Sequence, residues 1–163
     1  MLKPMLNEVI DHIRNRSYMS GVDRDRSRVK ATGEVFTPTP LVQEILEQIS
    51  IGQFQDSTKT FLDNSCGDGQ FLGEVLIRKM ENGSTFEQAL STTYGVDMMQ
   101  DNVDLCRERL ICGQEHLRPI VEQNIVCADA LRYHYRFDLS HPYDDEVKEQ
   151  KKEQLLSNLF DFE

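Results

Sequence analysis

Three carboxylates, Asp63, Asp97 and Asp129, stand at or just past the ends of three short apolar runs, "KTFLD", "TYGVDM" and "NIVCADAL". The first run passes directly into "NSCGDGQFLG", a loop that places Gly67, Gly69 and Gly73 within seven residues. Acids converging on one sheet edge could chelate Mg²⁺, or could accept hydrogen bonds from a ligand carrying hydroxyls, an amine and an amide-like edge. A helical segment separates each acid from the next, which favours a nucleoside-like ligand lying along the edge. The loop is not a P-loop, because no Gly-Lys-Ser/Thr follows. Nor is it the dinucleotide fingerprint, because G-x-G-x-x-x-G is one residue too long. Asp63 and Asp68 would repel a pyrophosphate, so a cationic or neutral group belongs there, an ammonium-bearing amino-acid moiety above all.

The elements that must hold these residues follow from periodicity. Leu2, Met5, Leu6, Val9, Ile10 and Ile13 recur at helical steps, and a polar run over 17–34 then loses the pattern. "TPTPLVQEILEQIS" predicts a helix from about Pro40 with Leu41, Val42, Ile45, Leu46 and Ile49 on one stripe. Phe71, Leu72, Val75, Leu76 and Met80 predict the helix after the loop, stopped at Asn82-Gly83. Ser84 and Glu87 form a capping-box pattern for a second short helix. "MQDNVDLCRERLICG" turns Val103, Cys106 and Leu110 inward and ends at Gly113. Strand, helix, strand, helix, strand implies an α/β fold with parallel strands joined by helical crossovers. The charged stretch from Asp144 predicts a terminal helix with an apolar finish.

Composition bounds the function classes. A chain of 163 residues can bury one core, and its net charge of −10 disfavours unaided binding to nucleic acid. The charge is uneven: Arg14, Arg16, Arg24, Arg26, Arg28 and Lys30 face Asp23 and Asp25, whereas the residues after Phe137 are strongly acidic. No membrane span or secretory signal is evident, so a cytoplasmic protein is expected. Cys66, Cys106, Cys112 and Cys127 contain no C-x-x-C pair and no zinc spacing, which predicts buried, reduced thiols and no metal.

"FLDNSCGDGQFL" resembles the first motif of the amino (N6-adenine) DNA methyltransferases, whose usual form is D-P-x-C-G-x-G-x-F. "GEVFTPTPLVQEIL" resembles the F-T-P element of the subgroup that places it before the loop. "YGVDMMQDNVDLCRERL" and "NIVCADAL" resemble the second and third motifs, and the resemblance spans about residues 33 to 131. It implies a Rossmann-like S-adenosylmethionine-dependent methyltransferase fold, a mostly parallel sheet flanked by helices and truncated in its second half. Residues 1–32 would then be an N-terminal helix and basic arm, 33–143 the cofactor-binding domain and 144–163 a charged tail.

Carried onto this sequence, the resemblance implies S-adenosylmethionine as cofactor. Phe36, Thr37 and Pro38 would line its methionine end. Asp63, with the loop residues Ser65, Cys66, Gly67, Asp68 and Gly69, would face the amino-acid part, and Phe71 would pack beneath the loop. Asp97 would accept the ribose hydroxyls, Met98 would pack on the adenine, and Asp129 with Ala130 would meet the adenine's amino edge. Asn64 stands in place of the family's usual proline.

The fourth motif departs further. The family ends its fourth strand with Asp/Asn-Pro-Pro-aromatic, which grips a flipped adenine. Here only Ser140-His141-Pro142-Tyr143 could imitate it, with Tyr143 stacking and Ser140 as the polar residue, and no apolar strand precedes it. Two functions stay open: an adenine-N6 DNA methyltransferase, contacting DNA through Arg24, Arg26, Arg28 and Lys30, or a catalytically incomplete cofactor-binding subunit or regulator that needs a partner protein or a second copy or does not transfer methyl groups.

Overall fold

A computed structural model of the chain describes residues 4–16 and 37–160, with side chains to residue 157. Phe36, Arg24, Arg26, Arg28 and Lys30 lie outside the described residues. The element order is α1 (Leu6–Asn15), α2 (Thr39–Glu47), α3 (Ile51–Gln55), β1 (Phe61–Asp63), α4 (Gln70–Glu81), α5 (Phe86–Ser91), β2 (Thr93–Asp97), α6 (Gln100–Ile111), α7 (Arg118–Asn124), β3 (Ile125–Cys127) and α8 (Asp144–Phe160), with a 3₁₀ turn at Glu115–Leu117. The strands form an open parallel sheet in the order β1-β2-β3, flanked by helices, so the chain is α/β.

Helix α4 is the centre of the molecule. Leu72, Val75, Leu76 and Ile77 are all buried along it, because α1, α2, α5 and α6 each press a face against it. Its Gly73 is the point of closest approach: a Cβ there would come within 2.7 Å of Ile13 Cγ2 on α1. Burial of Val9 and Ile13, both fully enclosed, contributes about 1.5–3 kcal/mol each and fastens α1 to α4 and α6. Glu74, also buried on α4, accepts Arg14 Nε and Nη2 at 3.0 and 2.9 Å and Gln43 Nε2 at 3.1 Å. One carboxylate thus ties three helices together.

The sequence reading needs correction in several places. The stripe on α2 buries only Val42 and Leu46, leaving Leu41 and Ile45 exposed. Helices α3 and α7 were not anticipated; Pro119 sits in the first turn of α7, where its missing N–H costs nothing. The capping box of α5 is one residue later than expected. Thr85, not Ser84, is the cap, its hydroxyl accepting Gln88 N–H at 3.2 Å while Gln88 Oε1 accepts Thr85 N–H at 2.9 Å. Thr85→Ala is expected to cost about 1 kcal/mol in urea unfolding, and Glu87→Gln almost nothing.

Residues 128–143 form no strand. They fold back as a loop in which Tyr135, Phe137 and Leu139 take left-handed φ of 54°, 50° and 62°. Tyr133, Tyr135 and Phe137 cluster against Val96 and Ala128 beside the sheet. The terminal helix α8 is joined to this loop by Arg132–Glu146 and Arg136–Asp145 ion pairs, while Leu155 and Leu156 stay exposed. All four cysteines are free; Cys66 and Cys106 are buried, Cys112 and Cys127 half-buried.

Candidate functional site

The three acids are stepped along the carboxyl edge. Asp63 stands opposite Gly95, and Asp97, two residues further, stands opposite Cys127, with Asp129 two residues beyond that. At about 3.3 Å rise per residue and about 4.8 Å between strands, successive acid Cα atoms are roughly 8 Å apart. Among the described residues no group of three His, Cys, Asp or Glu side chains could hold a metal ion. The spread suits an elongated ligand rather than a single chelated cation.

Each acid also organises the backbone that follows it. Asp63 Oδ1 accepts Ser65 N–H at 3.0 Å, and Asp129 Oδ1 accepts Leu131 N–H at 2.9 Å. Asp97 does most: Oδ1 accepts Met99 N–H at 2.9 Å and Asn102 Nδ2 at 3.2 Å, and Oδ2 accepts Gly67 N–H at 3.0 Å. Asp97 thus latches the glycine loop to β2 and to the start of α6 with three accepted hydrogen bonds, of the roughly four a carboxylate can take.

The loop between β1 and α4 is built for close approach. Cys66 N–H bonds Val96 O at 3.0 Å, and Gly69 N–H bonds Cys66 O at 2.8 Å, closing the turn. Gly67 and Gly69 both have positive φ, 53° and 83°. Asp68 is buried, 1% exposed, with its carboxylate 3.4 Å from the guanidinium of Arg109. Its charge is thereby partnered inside the protein, and Asp63 with Asp97 supplies the negative charge near the strand ends.

Burial first, then repulsion from Asp97, pushes the Asp63 carboxyl above its ordinary range, against the Ser65 amide that favours the anion. The folded protein therefore holds that proton more firmly than the unfolded chain. Stability should fall as pH rises from the ordinary aspartate range through the raised folded value, and level off above it. Urea midpoints measured from pH 3.5 to 7 should show this decline in the difference between wild type and Asp63→Asn, in which the opposite contributions of Asp56, Glu115, Asp138 and Asp145, held low by their hydrogen-bond partners, cancel.

Of the other site residues, Met98 is 69% exposed beside Asp97, and Ala130 is half-buried next to Asp129. Phe71 packs on the Val42, Leu46, Phe54 and Val75 cluster formed by α2, α3 and α4. Thr37 and Pro38 precede α2, whose Thr39 Oγ1 accepts Gln70 Nε2 at 2.9 Å. Tyr143 is brought to the site: its hydroxyl bonds Asp129 N–H, and the Arg132 guanidinium lies 5.2 Å over its ring. Ser140 is not; it lines a separate cavity of about 240 Å³ with Arg107, Gln123 and Phe137. The hydrogen bond with Cys106, then burial, raises the Cys66 thiol, and burial pushes Cys112 up to about 12, so neither is a ready nucleophile.

Gln70 and Asn102 were missed by the sequence reading. Gln70 is 5% exposed, and its Oε1 has no hydrogen-bond partner among the described residues. A polar residue on the inward stripe directly after Gly69 was the available signal. Asp63, Asp97 and Asp129 make the carboxyl edge rich in acceptors, which fits a ligand bearing an ammonium group and hydroxyls and does not fit a polyphosphate, while Gln70 is tied to Thr39 at the start of α2. Comparison with protein-family models, with curated proteins and with solved structures finds no match.

Proposed function

We propose that the chain binds S-adenosylmethionine along the carboxyl edge of β1, β2 and β3, in a Rossmann-like methyltransferase fold, and that it is related to DNA adenine-N6 methylation. The carrying observation is the stepped row of Asp63, Asp97 and Asp129 with the glycine loop bonded to the middle acid. Asp63 would hold the ammonium group, Asp97 the ribose hydroxyls, and Met98 a face of the adenine, with Asp129 and Ala130 at its amino edge. Thr37 and Pro38, with Phe36, would close the methionine end. The cofactor, when bound, supplies an electrophilic methyl group on its sulfonium. The chain's own part is to orient it and exclude water, which converts a bimolecular transfer into a positioned one. Asp63 must be ionised to meet an ammonium group, so affinity should rise with pH through its raised value.

A second reading has its own support. Residues 128–143 form a loop rather than a strand, Tyr143 is held by Asp129 and Arg132, and Ser140 lies in a different cavity. This favours a cofactor-binding subunit that needs a partner for transfer. Incubation with methyl-labelled S-adenosylmethionine and unmethylated duplex DNA separates the two. Label on adenine N6, lost in Tyr143→Ala, identifies an enzyme. Cofactor binding without label identifies the subunit, and no binding removes both.

A further inference from the structure

Strand β1 is paired on one side only. Phe61 N–H donates to Thr92 O at 2.9 Å, so in the alternating pattern of a parallel ladder the amide and carbonyl of Leu62 point away from β2, toward the open edge. Among the described residues no strand meets them. Leu62 itself is 52% exposed. Along this edge runs a groove of about 310 Å³, walled by Ile45 of α2, by Ile49 just past that helix and by Phe61, Leu62 and Phe71, with Asp63 among its lining residues. Leu41 and Ile45, nearly half exposed, extend the apolar surface over α2. Edge strands are ordinarily blunted by shortness, charge, proline or a bulge; β1 is three residues long and ends in Asp63, but it carries no lysine, proline or bulge between Phe61 and Asp63.

We propose that this groove receives an extended, apolar segment of a different polypeptide, which adds to β1 as a fourth strand and carries a basic residue where it meets Asp63. The occupant's conformation follows from Leu62: a helix would leave that backbone pair unbonded, whereas an added strand bonds both groups and sends alternate side chains into the groove. Its charge follows from the surroundings. Asp63 sits in the groove, and Glu44 and Glu47 are the exposed acids beside the apolar stripe of α2. A second copy would bring its own Asp63 to the same edge and a further net charge of −10, so like charge opposes that occupant. Asp63 is shared with the ligand proposed at the carboxyl edge, so the peptide's basic residue would compete with that ligand's ammonium group, whereas Leu62 and the apolar walls of the groove belong to this proposal alone.

The test uses the full chain and a displayed library of random twelve-residue peptides. Selected peptides should alternate apolar with other residues and carry lysine or arginine at one end. The best of them, synthesised, should slow hydrogen exchange at the Leu62 amide. It should lose about tenfold in affinity for Ile45→Glu, a change at an exposed position that leaves the circular dichroism spectrum unaltered. N-methylation of alternate peptide amides should weaken it further. The proposal is overturned by a failure to enrich any peptide, by apolar residues selected at three- and four-residue spacing, or by undiminished binding to Ile45→Glu. A concentration-dependent dimer that protects the Leu62 amide would overturn it in favour of a second copy.

Discussion

Arg109→Met is expected to destabilise the protein by about 3–5 kcal/mol, the usual result of removing one member of a buried ion pair. Arg109 is 1% exposed on α6, and it reaches two elements distant in sequence. Nη1 lies 3.4 Å from Asp68 Oδ1 in the glycine loop, and Nη2 donates to Ile13 O at 3.2 Å at the end of α1. Met keeps most of the volume, so the loss reports the charge and its hydrogen bonds rather than a cavity. Urea unfolding should show the shift in midpoint, and hydrogen exchange should quicken first at residues 66–69. Arg118→Met is the control: its pairs with Glu108 and Glu115 are on the surface, and the loss should stay within about 1 kcal/mol.

Gly69→Ala is expected to cost about 2–4 kcal/mol by two separable effects. Gly69 has φ of 83°, where a side chain costs roughly 1–2 kcal/mol, and the new Cβ would stand 2.7 Å from Cys106 Sγ. The double variant Gly69→Ala with Cys106→Ala removes the clash and leaves the conformational cost. Its stability in urea should therefore exceed the sum of the two single effects by about 1–2 kcal/mol. Gly67→Ala tests the other half of the reasoning. Its φ is 53° and nothing lies within 4 Å of the added Cβ, so only the conformational cost should appear.

The strands and the helices around the glycine loop were legible because each carries its own period and its own terminator. Asp63, Asp97 and Asp129 stood out for the same reason, since turn chemistry follows each apolar run. What stayed hidden depends on contacts distant in sequence. The sequence reading sent the Asp68 charge toward a ligand, but Arg109 lies 41 residues away and no local pattern links them. Two overlapping capping boxes, Ser84 with Glu87 and Thr85 with Gln88, fit the sequence equally, and only backbone geometry at Thr85 chooses. Helical spacing puts Leu41, Val42, Ile45 and Leu46 on one stripe of α2 without saying whether anything covers it, and only Val42 and Leu46 are buried. Ile45 lines an open groove, and Leu41 lies exposed one turn before it. Asp97 was assigned a ligand from its place at a strand end, and its structural work for Gly67, Met99 and Asn102 emerges only from the geometry.

Titration calorimetry of the full chain with S-adenosylmethionine, read together with backbone amide shifts, tests the central claim most directly. The expected result is saturable one-to-one binding, stronger at pH 8 than at pH 5, with the largest shifts at Gly67, Met98 and Ala130. Absence of heat at millimolar cofactor from protein whose amide spectrum is dispersed and folded would contradict it, as would binding that leaves those amides unmoved.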